Sequence, residues 1–89
     1  MSSPSSERLV SLPAGVDLHA RPAAQFVRTA MTFEASIAVA AGDREANAKS
    51  LLAVLALGAK GGSALRLRAD GEDAPVALET LAGCVATLE

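Results

Sequence analysis

The chain contains no tryptophan and no tyrosine, and Phe26 and Phe33 are its only aromatics. Nothing in it supplies an aromatic platform for stacking nucleic-acid bases, and a core must be filled mainly by alanine, leucine and valine. One cysteine, Cys84, excludes an intrachain disulfide. One histidine, His19, and no second cysteine leave no set of side chains at metal-ligand spacing, so no metal and no organic cofactor is expected. Basic excess is missing too: eight Lys and Arg stand against ten Asp and Glu, for a net charge of −2, which argues against nucleic acid as a partner. Long apolar runs are also absent. The densest, Leu51 to Leu57, stops at Gly58, far short of the ~20 residues a membrane span needs. The opening Met1-Ser2-Ser3-Pro4-Ser5-Ser6 is polar and lacks the basic start and apolar centre of a secretory signal. A flexible tail over residues 1–6 and a cytoplasmic, monomeric protein without membrane insertion are the expectations.

What is present is one small domain, residues 7–89, in a chain about half of which is apolar (51%). A chain of this length buries ~60–65% of its unfolded surface. Glu7–Leu12 is a strand candidate that stops before Pro13 and the Gly15 loop. A helix follows over Ala20–Met31, with Ala23, Phe26, Val27 and Ala30 on one face. Ala35–Ala40 carries Ile37 and Val39 in alternation and predicts a second strand. Ser50 suits the N-cap of a helix over Leu51–Leu57, ended by Gly58 and Gly61-Gly62. Ala64–Ala69 alternates cleanly, with Leu65 and Leu67 facing inward. Asp73 is placed to cap a last helix with Pro75 in its first turn and Leu78, Leu81, Ala82, Val85 and Leu88 as its core stripe. Cys84 falls inside that helix as an inert, partly buried side chain. Strands and helices alternate without repeated βαβ crossovers, which predicts an α+β fold with an antiparallel sheet and helices on one face.

The chemistry concentrates at Asp17-Leu18-His19-Ala20-Arg21-Pro22-Ala23-Ala24. Pro22 fits a first helical turn, where its missing N–H would have no intrahelical partner. His19 therefore sits as N-cap, facing unpaired backbone N–H groups and the positive end of the helix dipole. Such a place suits an anion, phosphate above all. A neutral imidazole nitrogen is a nucleophile able to carry a covalent group between partners. Once a phosphoryl group is attached, Arg21 offers its oxygens a planar fork of donors.

Leu18-His19-Ala20-Arg21-Pro22-Ala23-Ala24 resembles the active-site signature of the HPr family, the histidine-containing phosphocarriers of the bacterial phosphoenolpyruvate:sugar phosphotransferase system. Asn47-Ala48-Lys49-Ser50-Leu51-Leu52 resembles the family's second signature, around its regulatory serine. Leu57-Gly58, Gly61-Gly62 and Asp70-Gly71-Glu72-Asp73 follow at the family's spacing, and the likeness runs from about Glu7 to Glu89. One departure stands out: the family's usual glycine two residues before the histidine is Asp17. Glycine there would allow unusual dihedrals and close approach to an anion, whereas aspartate brings a negative charge.

The resemblance implies an open-faced β-sandwich of order βαββαβα, a four-stranded antiparallel sheet with three helices on one face. It supports a weak third strand at Arg44–Asn47, where pattern alone does not. It implies that His19 accepts a phosphoryl group through Nδ1 from enzyme I and passes it to IIA domains of sugar permeases. In that role the protein is a carrier intermediate and not an enzyme. It further implies phosphorylation of Ser50 by HPr kinase/phosphorylase, with a transcriptional regulator as a further partner. The helix after Ser50 is apolar nearly all round, so Val54 and Leu57 are expected inside and Leu51, Leu52 and Leu55 outside. An exposed apolar patch of this kind marks a partner surface. Ala20, Ala24 and Arg28 on the first helix would extend it, with Arg21, Gln25 and Arg28 forming a basic rim for acidic partners. The competing readings are a nitrogen-related paralogue with a regulatory output, a binding module controlled through Ser50 alone, and a hydrolase using His19 as base. The last wants a second catalytic group that the motif does not supply.

Overall fold

The computed structural model describes residues 5–89. The alternation in the sequence becomes four strands, β1 (Ser5–Ser11), β2 (Ser36–Ala41), β3 (Arg44–Asn47) and β4 (Ala64–Asp70). The helical spacing becomes α1 (Ala20–Ala30), α2 (Leu51–Leu57) and α3 (Ala74–Ala86). The order is βαββαβα, as expected. One sheet runs β1-β4-β2-β3 with every neighbouring pair antiparallel. β4 shows why its residues make a strand. Leu65, Leu67 and Ala69 are buried under the helices, while Ala64, Arg66 and Arg68 face solvent, the alternation that the pleat demands.

The core lies between the inner sheet face and the helices. Ala23, Phe26, Val27 and Ala30 of α1 enter it together with Leu78, Leu81 and Val85 of α3 and Leu88 beyond it. Val54 and Leu57 point in from α2. With so few aromatics, Phe26 is the largest fully buried side chain, and small alanines at positions 23, 46, 48, 69, 74 and 77 let the helices approach closely. Ala82 is half-buried instead of central to the α3 stripe. Among the described residues, no helix is long and apolar enough to cross a membrane.

The ends of β1, α1, β2 and β4 shift by one or two residues from the sequence reading, and the cap of α3 differs in kind. β1 begins at Ser5, where the backbone ladder to β4 continues through Ser5 with Asp70 and Ser6 with Ala69. Serines carry no apolar alternation, so pairing and not pattern sets this end, and of the expected tail only residues 5 and 6 are described; residues 1–4 lie outside the described residues. Asp73 stands at the N-cap of α3 but makes no side-chain cap bond. Its carboxylate instead accepts from Glu34 N (2.8 Å) and Ala35 N (2.9 Å). The residue type is right for a cap, but two donors presented together by the loop before β2 outcompete the helix's own N–H groups.

Candidate functional site

The site forms where the β1–α1 loop meets the α2–β4 loop. Gly58 ends α2 in the left-handed conformation (φ +63), which glycine adopts without cost, and turns the chain back towards His19. The two loops are then laced together. Leu18 N donates to Ala59 O (2.9 Å), Gly62 N donates to Leu12 O (3.0 Å) and Leu12 N donates to Ser63 O (2.9 Å). Gly61 lies so close to the facing loop that a Cβ would meet Gly15 N and Val16 N at 2.7 Å. Leu18 is fully buried and anchors the loop from below. The consequence is a rigid mount for the residue that follows it.

His19 occupies the N-cap of α1 in extended backbone (φ −144, ψ 160), and its side chain makes no cap hydrogen bond. The residue is exposed. His19 O accepts from Ala23 N at 3.4 Å, so the helix starts here as expected, and its first N–H groups lack intrahelical acceptors. Ala20 turns the chain into the helix at φ +47, the only left-handed non-glycine residue among those described. That conformation costs an L-residue about 1–2 kcal/mol. Asp17, by contrast, stays out of the left-handed region, so the replacement of glycine there requires no special dihedral. His19 and Asp17 line a shallow cavity of about 200 Å³ with Leu18, Gly58, Ala59 and Lys60.

The role of Asp17 is visible only in three dimensions. Its Oδ1 accepts from Gly61 N at 2.8 Å across 44 residues of sequence. Its own backbone O accepts from His19 N at 2.9 Å. Its Oδ2 lies 3.9 Å from Lys60 Nζ. Sequence reading missed Lys60 altogether, since nothing local links a loop lysine to the histidine motif. Arg21 is exposed on the first turn of α1, one residue beyond Ala20, and among the described residues it makes no ion pair.

The residues expected on the outer faces of α1 and α2 differ in exposure. Leu52 is 82% exposed and Leu51 41%, while Ala20 and Arg28 are exposed and Ala24 half-buried on α1. Leu55 departs from the expectation: it is half-buried and packs against the core. A seven-residue helix makes scarcely two turns, and Leu55, one residue from Val54, falls at the margin of the inward face. Helices α1 and α2 pack against each other. Ser50 caps α2 as expected, its Oγ accepting from Ala53 N at 3.3 Å. Cys84 is half-buried, with Sγ 3.7 Å from Thr29 Oγ1.

The comparisons with known proteins fall on the whole domain. Residues 6–87 match the family model described as the PTS HPr component phosphorylation site. A phosphocarrier protein HPr of Haemophilus influenzae is 44% identical over 80 residues, covering 90% of this chain and 94% of that protein. One of Streptomyces coelicolor is 46% identical over 82 residues, covering 91% of this chain and 88% of the relative. The crystal structure of a phosphocarrier protein HPr from Bacillus anthracis superposes with a TM-score of 0.87 at 36% identity, covering 91% of this chain and 96% of that one.

Proposed function

The chain belongs to the HPr family and is a phosphocarrier of the phosphotransferase system, and we propose that His19 is the residue that carries the phosphoryl group. The observation behind this reading is an exposed imidazole at the head of α1, free of any bond to its own helix and mounted on a buried, laced loop.

The donor is phosphorylated enzyme I and the acceptors are IIA domains of sugar permeases, in the cytoplasm. In each transfer the acceptor's nucleophile uses its lone pair to form the new bond to phosphorus: Nδ1 of His19 in this reading when enzyme I is the donor, and a nucleophile of the IIA domain when His19 is the donor. The N–P bond to the donor's histidine breaks, and its electron pair returns to the donor ring. The other His19 nitrogen keeps its proton throughout. Such a transfer needs in-line approach and charge stabilisation and little covalent machinery. The free N–H groups of the first α1 turn and the Arg21 guanidinium provide that stabilisation. Nothing in the transfer requires a metal or cofactor, and the protein turns over only with its partners.

Docking uses Ala20, Ala24 and Arg28 of α1 with Leu51, Leu52 and the exposed edge of Leu55 on α2. An apolar centre with a basic rim suits short-lived complexes with acidic partners. Phosphorylation of Ser50, by an HPr kinase/phosphorylase, sets about two negative charges at the start of α2 next to Leu51 and Leu52. The fold tolerates an anion at a helix N-terminus, but the patch is repelled from acidic surfaces. A transcriptional regulator with a basic face would read that same charged patch.

The test is incubation with phosphoenolpyruvate and enzyme I, followed by intact mass at neutral pH. The wild type gains one acid-labile phosphoryl group and His19→Ala gains none. Arg21→Ala folds normally and is phosphorylated at least about tenfold more slowly, in line with the loss of one charge-assisted contact. A wild type left unmodified by a cognate enzyme I, or a His19→Ala protein that is modified equally, would refute the assignment.

A further inference from the structure

A charge conflict is built into the cavity beside His19. The Asp17 carboxylate lines it, and a phosphoryl group on the ring would add about −1.5 to −2 charges more. Like charges so placed repel, and each raises the cost of the other. Gly61 N answers only Oδ1. Oδ2 faces Lys60 Nζ at 3.9 Å, which is too long for a hydrogen bond. The Lys60 side chain is 77% exposed and that of Asp17 53%. An ion pair this open contributes little to stability.

The backbone around Lys60 is held far more firmly than its side chain. On one side Ala59 O accepts from Leu18 N (2.9 Å). On the other, Gly61 N donates to Asp17 Oδ1 (2.8 Å). Both bonds go to residues immediately preceding His19, so the Lys60 Cα is pinned opposite the ring while its ammonium remains free to move. Among Lys and Arg residues, Lys60 alone lines the cavity; Arg21 does not.

We propose that Lys60 is a second phosphoryl-binding cation, resting against Asp17 Oδ2 in the free protein and moving onto the phosphoryl oxygens when His19 is phosphorylated. The inference rests on His19 being the carrier residue. Lys60 takes no part in bond making: the N–P bond forms and breaks as above, and the ammonium keeps its three protons and exchanges a carboxylate contact for a phosphoryl one. Asp17, in the place of the family's glycine, positions both loop and cation.

The experiment measures an end point, because docking strength changes the rate of transfer but not the equilibrium. Full-length protein, catalytic enzyme I and a fixed ratio of phosphoenolpyruvate to pyruvate are brought to equilibrium, and the phosphorylated fraction is read by intact mass. Lys60→Met lowers the ratio of phosphorylated to free protein about fivefold at low salt, the effect of one charge a few ångströms away in a largely aqueous setting. The deficit shrinks below about twofold at roughly 0.5 M salt. Lys60→Arg, which keeps the charge, restores the ratio. A Lys60→Met protein equal to wild type at low salt overturns the inference and leaves the role of His19 standing. A deficit that arginine does not rescue, or that salt does not reduce, also overturns it. A wild type that takes up no phosphoryl group at all removes the assignment of His19, and this inference with it.

Discussion

Asp17 and Asp73 stand in loops before α1 and α3, and each carboxylate reaches across the domain to accept backbone N–H groups, at separations of 44 and 38–39 residues. The resemblance ends there. Asp73 is half-buried and both its oxygens are taken, by Glu34 N and Ala35 N, so its bonding is complete and its work is to hold the loop before β2 against the start of α3. Asp17 is exposed, with one oxygen bonded to Gly61 N and the other facing a loosely held lysine. The same side chain is a structural tie where its oxygens are saturated and part of a site where one is left available. Saturation, not residue type or sequence separation, distinguishes the two.

Variants can break that contrast, beginning with the largest expected effect on stability. Asp73→Ala removes two bonds to a carboxylate and should cost about 2–3 kcal/mol, a fall in Tm on the order of 10–15 °C for a domain this small. In thermal melts a loss under about 2 °C would show that the tie is not needed. Its phosphorylation equilibrium at 25 °C should equal that of the wild type, since the substitution is remote from the His19 cavity. Asp17→Ala loses one exposed bond and should cost about 1 kcal/mol, while raising the phosphorylated fraction at equilibrium by removing a neighbouring negative charge. A large destabilisation with an unchanged equilibrium would make Asp17 a tie like Asp73 and erase the contrast.

Smaller effects sharpen the same boundary between holding and doing. Ser50→Ala removes the α2 cap, whose 3.3 Å bond is long, and should cost about 0.5–1 kcal/mol in chemical denaturation. Leu52→Ser changes a side chain that is 82% exposed. Stability should stay within about 0.5 kcal/mol of wild type, whereas binding to enzyme I, measured by titration calorimetry, should weaken by about tenfold if Leu52 is central to docking. Unchanged binding would move the docking surface off α2.

The contrast also explains what a reader of the sequence can and cannot see. The inward faces of α1 and β4 follow from spacing at Ala23, Phe26, Val27 and Ala30 and from alternation at Leu65 and Leu67, because burial on one side imposes those periods. The bounds of α2 follow from Ser50 and Gly58, whose capping chemistry is local. β3 carries no such signal: Arg44-Glu45-Ala46-Asn47 buries only Ala46, and its pairing with β2 makes it a strand. His19 and Arg21 were legible as a motif because a helix start is a local event. The partners of Asp17 and Asp73 were not, since each lies about forty residues away and no local pattern records which backbone N–H a carboxylate will meet. Lys60 belongs with them. Leu55 failed for a different reason, in that a short helix leaves its marginal residues to be decided by tertiary packing.

Phosphorus-to-nitrogen coupling in the NMR spectrum of the phosphorylated, nitrogen-15-labelled protein reads directly whether the one exposed imidazole receives the phosphoryl group. The expected result is a single coupling, from phosphorus to Nδ1 of His19. Phosphorus attached to any other residue, or a His19 ring that shows no coupling while the protein carries phosphate, would contradict it.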